Sequence, residues 1–149
     1  MREILFRGKR DPKYGTNWCV GIPYIDHDGD CIMATDISKR VVIPETVGQY
    51  TGLTDKNDKM IFEGDILKAV KYRFVVKFGK CGGVQNVDTE VGYIGFYVEP
   101  IGKDAKFLSE FLSDSGLRTD ILYWINSVRF GVEIIGNIHD NPELSGGAE

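Results

Sequence analysis

The run from Val70 to Phe78 constrains this chain more than any other stretch. Val70, Tyr72, Phe74, Val76 and Phe78 alternate with Lys71, Arg73 and Lys77, and a period of two puts the apolar set on one face of a half-buried β-strand. Val75 is the single break in the pattern. Counted from Ile66, the segment would extend about 40 Å at ~3.3 Å per residue. That exceeds an ordinary strand, so a bend or hairpin is expected near Lys71 to Arg73.

The rest of the chain supplies partners for that strand. Arg2 to Gly8 places Ile4 and Phe6 on one side of an extended segment. Trp18, Val20 and Ile22 alternate with smaller neighbours, and Cys31 to Thr35 reads as the return strand of a hairpin whose turn is Asp26-His27-Asp28-Gly29-Asp30. Arg40 to Ile43 is a short β-branched strand ended by Pro44. Leu53 to Lys59 is a polar loop with Asn57-Asp58 at its tip, and Glu63-Gly64-Asp65 is a turn that launches Ile66. Val91 to Val98 and Val132 to Ile138 are further strands. Helical spacing appears at Phe107, Leu108, Phe111 and Leu112, so Asp104 to Ser113 is expected to be a helix capped by Asp104. Thr119 to Ser127 is read as a second helix, although its residues also suit a strand. The tail from 144 to 149 is expected to be mobile.

Short strands joined by glycine-containing turns, with one helical segment at about 104–127 before the last strand, define a mainly β fold with minor α. The architecture expected is a small antiparallel barrel or sandwich in a single domain spanning 1–149. Composition supports one ordinary core: 149 residues, 42% hydrophobic and 27% charged, with no apolar run approaching the ~20 residues of a membrane helix. The amino terminus has no apolar secretory segment, and three cysteines without a CxxC pair argue against a disulfide framework. The expected setting is the cytoplasm, without membrane association.

Several chemistries can be weighed directly. Asp26 to Asp30 lacks the EF-hand pattern, because Gly29 is fourth rather than sixth and Ile37 stands at the twelfth place. Cys19, Cys31, Cys81, His27 and His139 lack zinc-knuckle spacing, so no metal or cofactor is expected. Glu63 with Asp65, and His139 with Asp140, are the acid–base candidates; carboxylates beside a turn glycine more commonly bond local backbone amides. Gly79-Lys80 and Gly102-Lys103 do not continue as phosphate loops.

Charge is unevenly spread. Residues 1 to 80 hold 14 Lys and Arg against 11 Asp and Glu, while residues 81 to 149 hold 4 against 11. Arg7, Lys9, Arg10, Lys68, Lys71 and Arg73 are therefore candidate nucleic-acid contacts, with Tyr72 and Phe74 interleaved. On an alternating strand, however, those aromatics face away from the cations.

Four separated blocks in order, LFRGKR, PETVGQYTGL with DKN, IFEGDI, and EIIGNIHDNPEL, resemble the YopX family of phage and prophage proteins. The resemblance implies an SH3-like β-barrel element in a protein serving a bacteriophage or prophage in the bacterial host cytoplasm, and it implies no reaction. It singles out Gln49, Tyr50, Asp55, Asn57, Glu63, Asp65, Asn137, His139, Asp140 and Asn141 as functional or structural motif residues. Asp58 departs from the family's usual glycine in DKNGK. The leading expectation is a non-enzymatic accessory protein that engages a host or phage protein or a second copy of itself. The alternatives are a nucleic-acid-binding barrel and, last, a small hydrolase or transferase.

Overall fold

The computed structural model describes residues 4–82, 92–115 and 131–146. The chain divides into two compact units, Met1–Gly52 and Leu53–Glu149. The strands are β1 (Phe6–Lys9), β2 (Trp18–Ile25), β3 (Cys31–Ala34), β4 (Lys39–Val41) and β5 (Gly48–Thr54), then β6 (Met60–Phe62), β7 (Asp65–Ala69), β8 (Tyr72–Gly82), β9 (Gly92–Ile101) and β10 (Glu133–Asn137). One α-helix, α1 (Ala105–Ser115), and two single 3-10 turns, Pro44–Thr46 and Pro142–Ser145, complete the described elements.

Hydrogen bonding forms two open sheets, ordered β4-β3-β2-β1-β5-β6 and β10-β7-β8-β9. The mainly β fold with minor α is therefore present. Neither sheet closes on itself among the described residues, so the SH3-like barrel is not seen as a closed barrel.

In the first unit, β2 divides its length between two neighbours. Trp18 to Gly21 pair with β1, and Ile22 to Ile25 pair with β3. Cys19, Gly21 and Pro23 lie on the face that packs with Met33; the small core there holds Cys31, Met33 and Val42, with Phe6, Cys19 and Val47 against it. The smaller neighbours of Trp18, Val20 and Ile22 are thus the inward residues, and the large ones face out.

In the second unit, the expected hairpin falls one residue earlier than the Lys71–Arg73 estimate. Ala69 pairs with Tyr72, so Val70-Lys71 is a two-residue turn. Val70 carries φ 59° and is 66% exposed, so it leaves the alternating set. Phe74 and Val76 enter the core with Ile61, Leu67, Val98, Leu108 and Val132. Val75, the break in the alternation, is also buried, so the middle of β8 is covered on both faces. Phe78 is half exposed and meets Phe96 edge-on at 4.9 Å. In α1 only Leu108 of the spaced apolar residues in 105–111 is buried; Phe107 and Phe111 are exposed and stack at 6.1 Å. Leu108 N–H donates to the Asp104 carbonyl, as a helix starting after Asp104 requires. The second expected helix, Thr119 to Ser127, lies outside the described residues, as do 147–149 of the tail. Residues 144 and 145 of that tail belong to the last 3-10 turn.

Candidate functional site

The polar residues of the resemblance cluster mostly in the second unit, and they are built from turns. At the β5–β6 tip, the Asp55 carboxylate organises its own loop. Its Oδ1 accepts from the Asn57 and Lys59 amides at 2.8 and 3.0 Å. Its Oδ2 accepts from the Ile134 amide at 3.0 Å, tying the tip to β10. Burial pushes the Asp55 carboxyl up, but the amides of Ile134, Lys59 and Asn57 and the Lys59 charge outweigh it and hold it below the usual carboxylate value. Asn57 contributes its backbone amide to this turn and is exposed. Asp58 sits at φ 61°, the left-handed conformation for which glycine is better suited.

The Glu63-Gly64-Asp65 turn is built similarly. Asp65 is 1% exposed, and its Oδ2 accepts from the Phe62 amide at 2.8 Å. It is committed to the core side of the turn rather than offered to a substrate. Gly64 takes φ 90°, donates to the Val76 carbonyl at 2.8 Å and accepts from the Ile138 amide at 3.0 Å. A Cβ on Gly64 would lie 3.8 Å from His139 Nε2 and 3.6 Å from Ile138 Cγ1, so the imidazole lies beside the turn backbone.

Asn137 pairs in register with Asp65 and starts the turn that carries His139. Its Oδ1 accepts from the His139 and Asp140 amides at 3.0 and 2.9 Å, and its Nδ2 donates to Asp140 Oδ2 at 3.2 Å. Asn141 folds back so that its Oδ1 accepts from the Asn137 amide at 3.3 Å. Its side chain occupies the space a Cβ on Gly136 would need. Glu63, Gly64 and His139 are thus brought to one end of the β7–β10 pair. Burial pushes the Glu63 carboxyl above its usual value, which suits a proton-holding group. Asp65 and Asn137 accept from backbone amides, and the Asp140 carboxylate accepts from the Asn137 side chain. Among the described residues no three His, Cys, Asp or Glu side chains group as metal ligands. The Asp26 turn follows the same logic: Asp26 Oδ1 accepts from the amides of Asp28 and Asp30.

Gln49 and Tyr50 lie in β5 of the first unit, where Gln49 pairs with Phe6 and the buried Tyr50 donates its amide to the Leu5 carbonyl. The basic candidates divide between the units, Arg7, Lys9 and Arg10 in the first and Lys68, Lys71 and Arg73 in the second. Lys68 is exposed opposite Glu133, Lys71 lies 5.2 Å from the Tyr72 ring, and Arg73 packs against Gly102. Arg10 packs against Gly15. Lys77 pairs with Glu99 at 2.7 Å.

Arg7 and Lys9 behave differently. Residues directly opposite in an antiparallel pair share a face, so Arg7 with Val20, Lys9 with Trp18, Ile22 with Ala34, and Ala34 with Lys39 all point to the same side of the first unit's sheet. Val20 and Tyr24 are 40% exposed there and Ile22 51%. The Arg7 guanidinium lies 4.7 Å from the Trp18 ring, and Lys39 Nζ 6.0 Å from the Tyr24 ring. Sequence reading looked for aromatic and cationic residues together on β8 and missed them here. The legible signal was the run of small residues at 19, 21 and 23, which marks the packed side of β2 and leaves the large side chains in water.

A family model described as YopX protein matches residues 15–145. No curated protein matches the chain.

Proposed function

Because the chain belongs to the YopX protein family, matched over residues 15–145, we propose that it is a non-enzymatic protein-interaction module, an accessory protein of a phage or prophage. The observation that carries the reading is the outward face of β1–β4. Val20, Ile22 and Tyr24 form an exposed apolar row, bordered by Arg7 over Trp18 and by Lys39 near Tyr24. Trp, Tyr and Arg beside aliphatic residues are the side chains that most often anchor protein interfaces. The commitment of Asp55, Asp65 and Asn137 to backbone amides supports the same reading, because it gives the family's polar blocks a folding role.

The experiment places p-benzoylphenylalanine at position 22 and irradiates living bacteria that produce the protein. A protein adduct identified by mass spectrometry, and lost on Tyr24→Ala with Lys39→Ala, is the expected outcome. An adduct with nucleic acid would favour that alternative and overturn the proposal, and so would the absence of any adduct.

A further inference from the structure

We infer that Arg10 and Arg40, both in the first unit, form an oxyanion site that takes a phosphoryl group. Strand register brings the two together. Arg10, directly after β1, bridges antiparallel to Val42, and Arg40 stands two residues before Val42 and pairs with Met33. Residues opposite each other share a face, and so do residues two apart on one strand. Both arginines therefore lie on the side that carries Val42 and Met33, opposite in parity to the Ile22 row, and the site is separate from the interaction face.

Arg10 is positioned before any ligand arrives. Its amide donates to the Asn17 carbonyl at 3.0 Å, the Asp11 amide donates to the Val41 carbonyl at 3.0 Å, and the Ile43 amide donates to the Lys9 carbonyl at 2.8 Å. The backbone is thus pinned on both sides of the residue. The side chain lies over Gly15, where an added Cβ would sit 3.1 Å from Nη1 and 3.4 Å from Cζ, and Gly15 takes φ 142°. Glycine is what leaves room for the guanidinium.

That cation has no countercharge. Arg10 is half-buried, and its Nε is shut off from solvent without an acceptor among the described residues; Nη1 and Nη2 are not shut off in this way. The adjoining carboxylate, Asp11, uses its Oδ1 on the Lys13 amide at 3.0 Å. Strands β1 to β4 contain no Asp or Glu, and Arg40 is exposed with no ion pair among the described residues. A buried polar group lacking a partner is the exception in folded proteins, and a guanidinium stays charged. An oxyanion on the terminal nitrogens supplies the missing charge. Two forked cations without a local carboxylate favour a dianion, and a phosphoryl group offers the three acceptor oxygens that two guanidiniums can share.

The test is titration of the purified full chain with inorganic phosphate, followed by the arginine Nε–Hε NMR signals at about pH 7.5, where phosphate esters are mostly dianionic. Ionic strength is held constant with chloride. The Arg10 signal is expected to shift saturably, with a dissociation constant on the order of 1 mM. Arg40→Gln, at an exposed position, should weaken binding about tenfold, and Gly15→Ala, which keeps every charge and displaces Arg10, should do the same. Lys68→Gln, which removes a charge from the second unit, should leave binding unchanged. Phosphoserine and a nucleoside monophosphate are titrated alongside: tighter binding of either supports the inference and names the carrier, and equal binding of all three supports free phosphate. No saturation by about 50 mM phosphate, a shift that chloride reproduces, or affinity indifferent to Arg40→Gln shows an adventitious ion only and overturns the inference. Acetate that binds as tightly as phosphate overturns the phosphoryl assignment.

Discussion

Removing the Asp55 carboxylate tests whether the family's acidic blocks are folding devices. Its two oxygens accept three backbone donors, at 2.8, 3.0 and 3.0 Å. A hydrogen bond to a charged group contributes ~1.5–3 kcal/mol, but these three are not equivalent. Asn57 and Lys59 are exposed at the tip, where water replaces a lost acceptor cheaply. The Ile134 amide belongs to β10, beside buried Val132, and it would be left short of a partner. Asp55→Ala should therefore cost about 2–4 kcal/mol, which lowers the melting temperature by roughly 6–12 °C in a chain of this size. Asp55→Asn should cost nearly as much. One amide oxygen cannot serve both the tip and Ile134, and the Nδ2 group turns a donor toward donors. Urea denaturation gives the total, and hydrogen exchange at the Ile134 amide locates it, with protection falling by about 30- to 700-fold. The carboxyl lies below its unfolded value, so its stabilisation is complete above that value, about 3.9, and is lost as pH falls through the folded one. The difference between wild type and Asp55→Asn should accordingly shrink below about pH 4. An Asp55→Asn protein within about 0.5 kcal/mol of wild type at pH 7, with Ile134 protection unchanged, would refute the reasoning.

Three further outcomes are expected. Asp58→Gly should stabilise the protein by about 1 kcal/mol in urea denaturation, because φ 61° costs an L-residue what it does not cost glycine. Glu63→Gln should stabilise it at pH 7: burial raises the folded carboxyl above its unfolded value, so the charge penalises the folded state when pH is high. That gain should disappear as pH falls through the unfolded value near 4.3, measured by melting temperature across pH 4–8. Burial and the nearby Glu45 carboxylate push the Cys31 thiol up, so a thiol reagent at pH 7.5 should leave Cys31 unmodified in the native protein and label it after unfolding in urea.

Much of the fold was legible because local chemistry decides it. The strand at β8, the turn at Glu63 to Asp65 and the helix after Asp104 follow from residue period and a turn glycine. The acidic segment at Asp26 to Asp30 was read as a hairpin turn, and the structure adds what closes it, Asp26 bonding amides two and four residues on. What sequence reading could not supply was orientation. Alternation at Trp18, Val20 and Ile22 says that one face differs from the other, and only the pairing with Met33 says which is dry. Val70 continues the apolar rhythm perfectly and still leaves the strand, because a two-residue hairpin overrides the face preference of one side chain. The link from Asp55 to Ile134 joins residues 79 apart, a distance at which no local rule operates.

That separation also governs time. The β7–β8 pair closes around a two-residue turn and β2–β3 around a short one, whereas β10 pairs with β7 between residues about 65 to 72 apart, from Glu133–Lys68 to Asn137–Asp65. Loop entropy rises by about 0.6 kcal/mol for each doubling of length, so closing this loop costs ~3 kcal/mol more than closing the hairpin. β10 should therefore be the last element to join its sheet and the first to leave it. In kinetic terms, Asp55 substitutions should speed unfolding while leaving the folding rate almost unchanged, the signature of a contact made after the barrier is crossed.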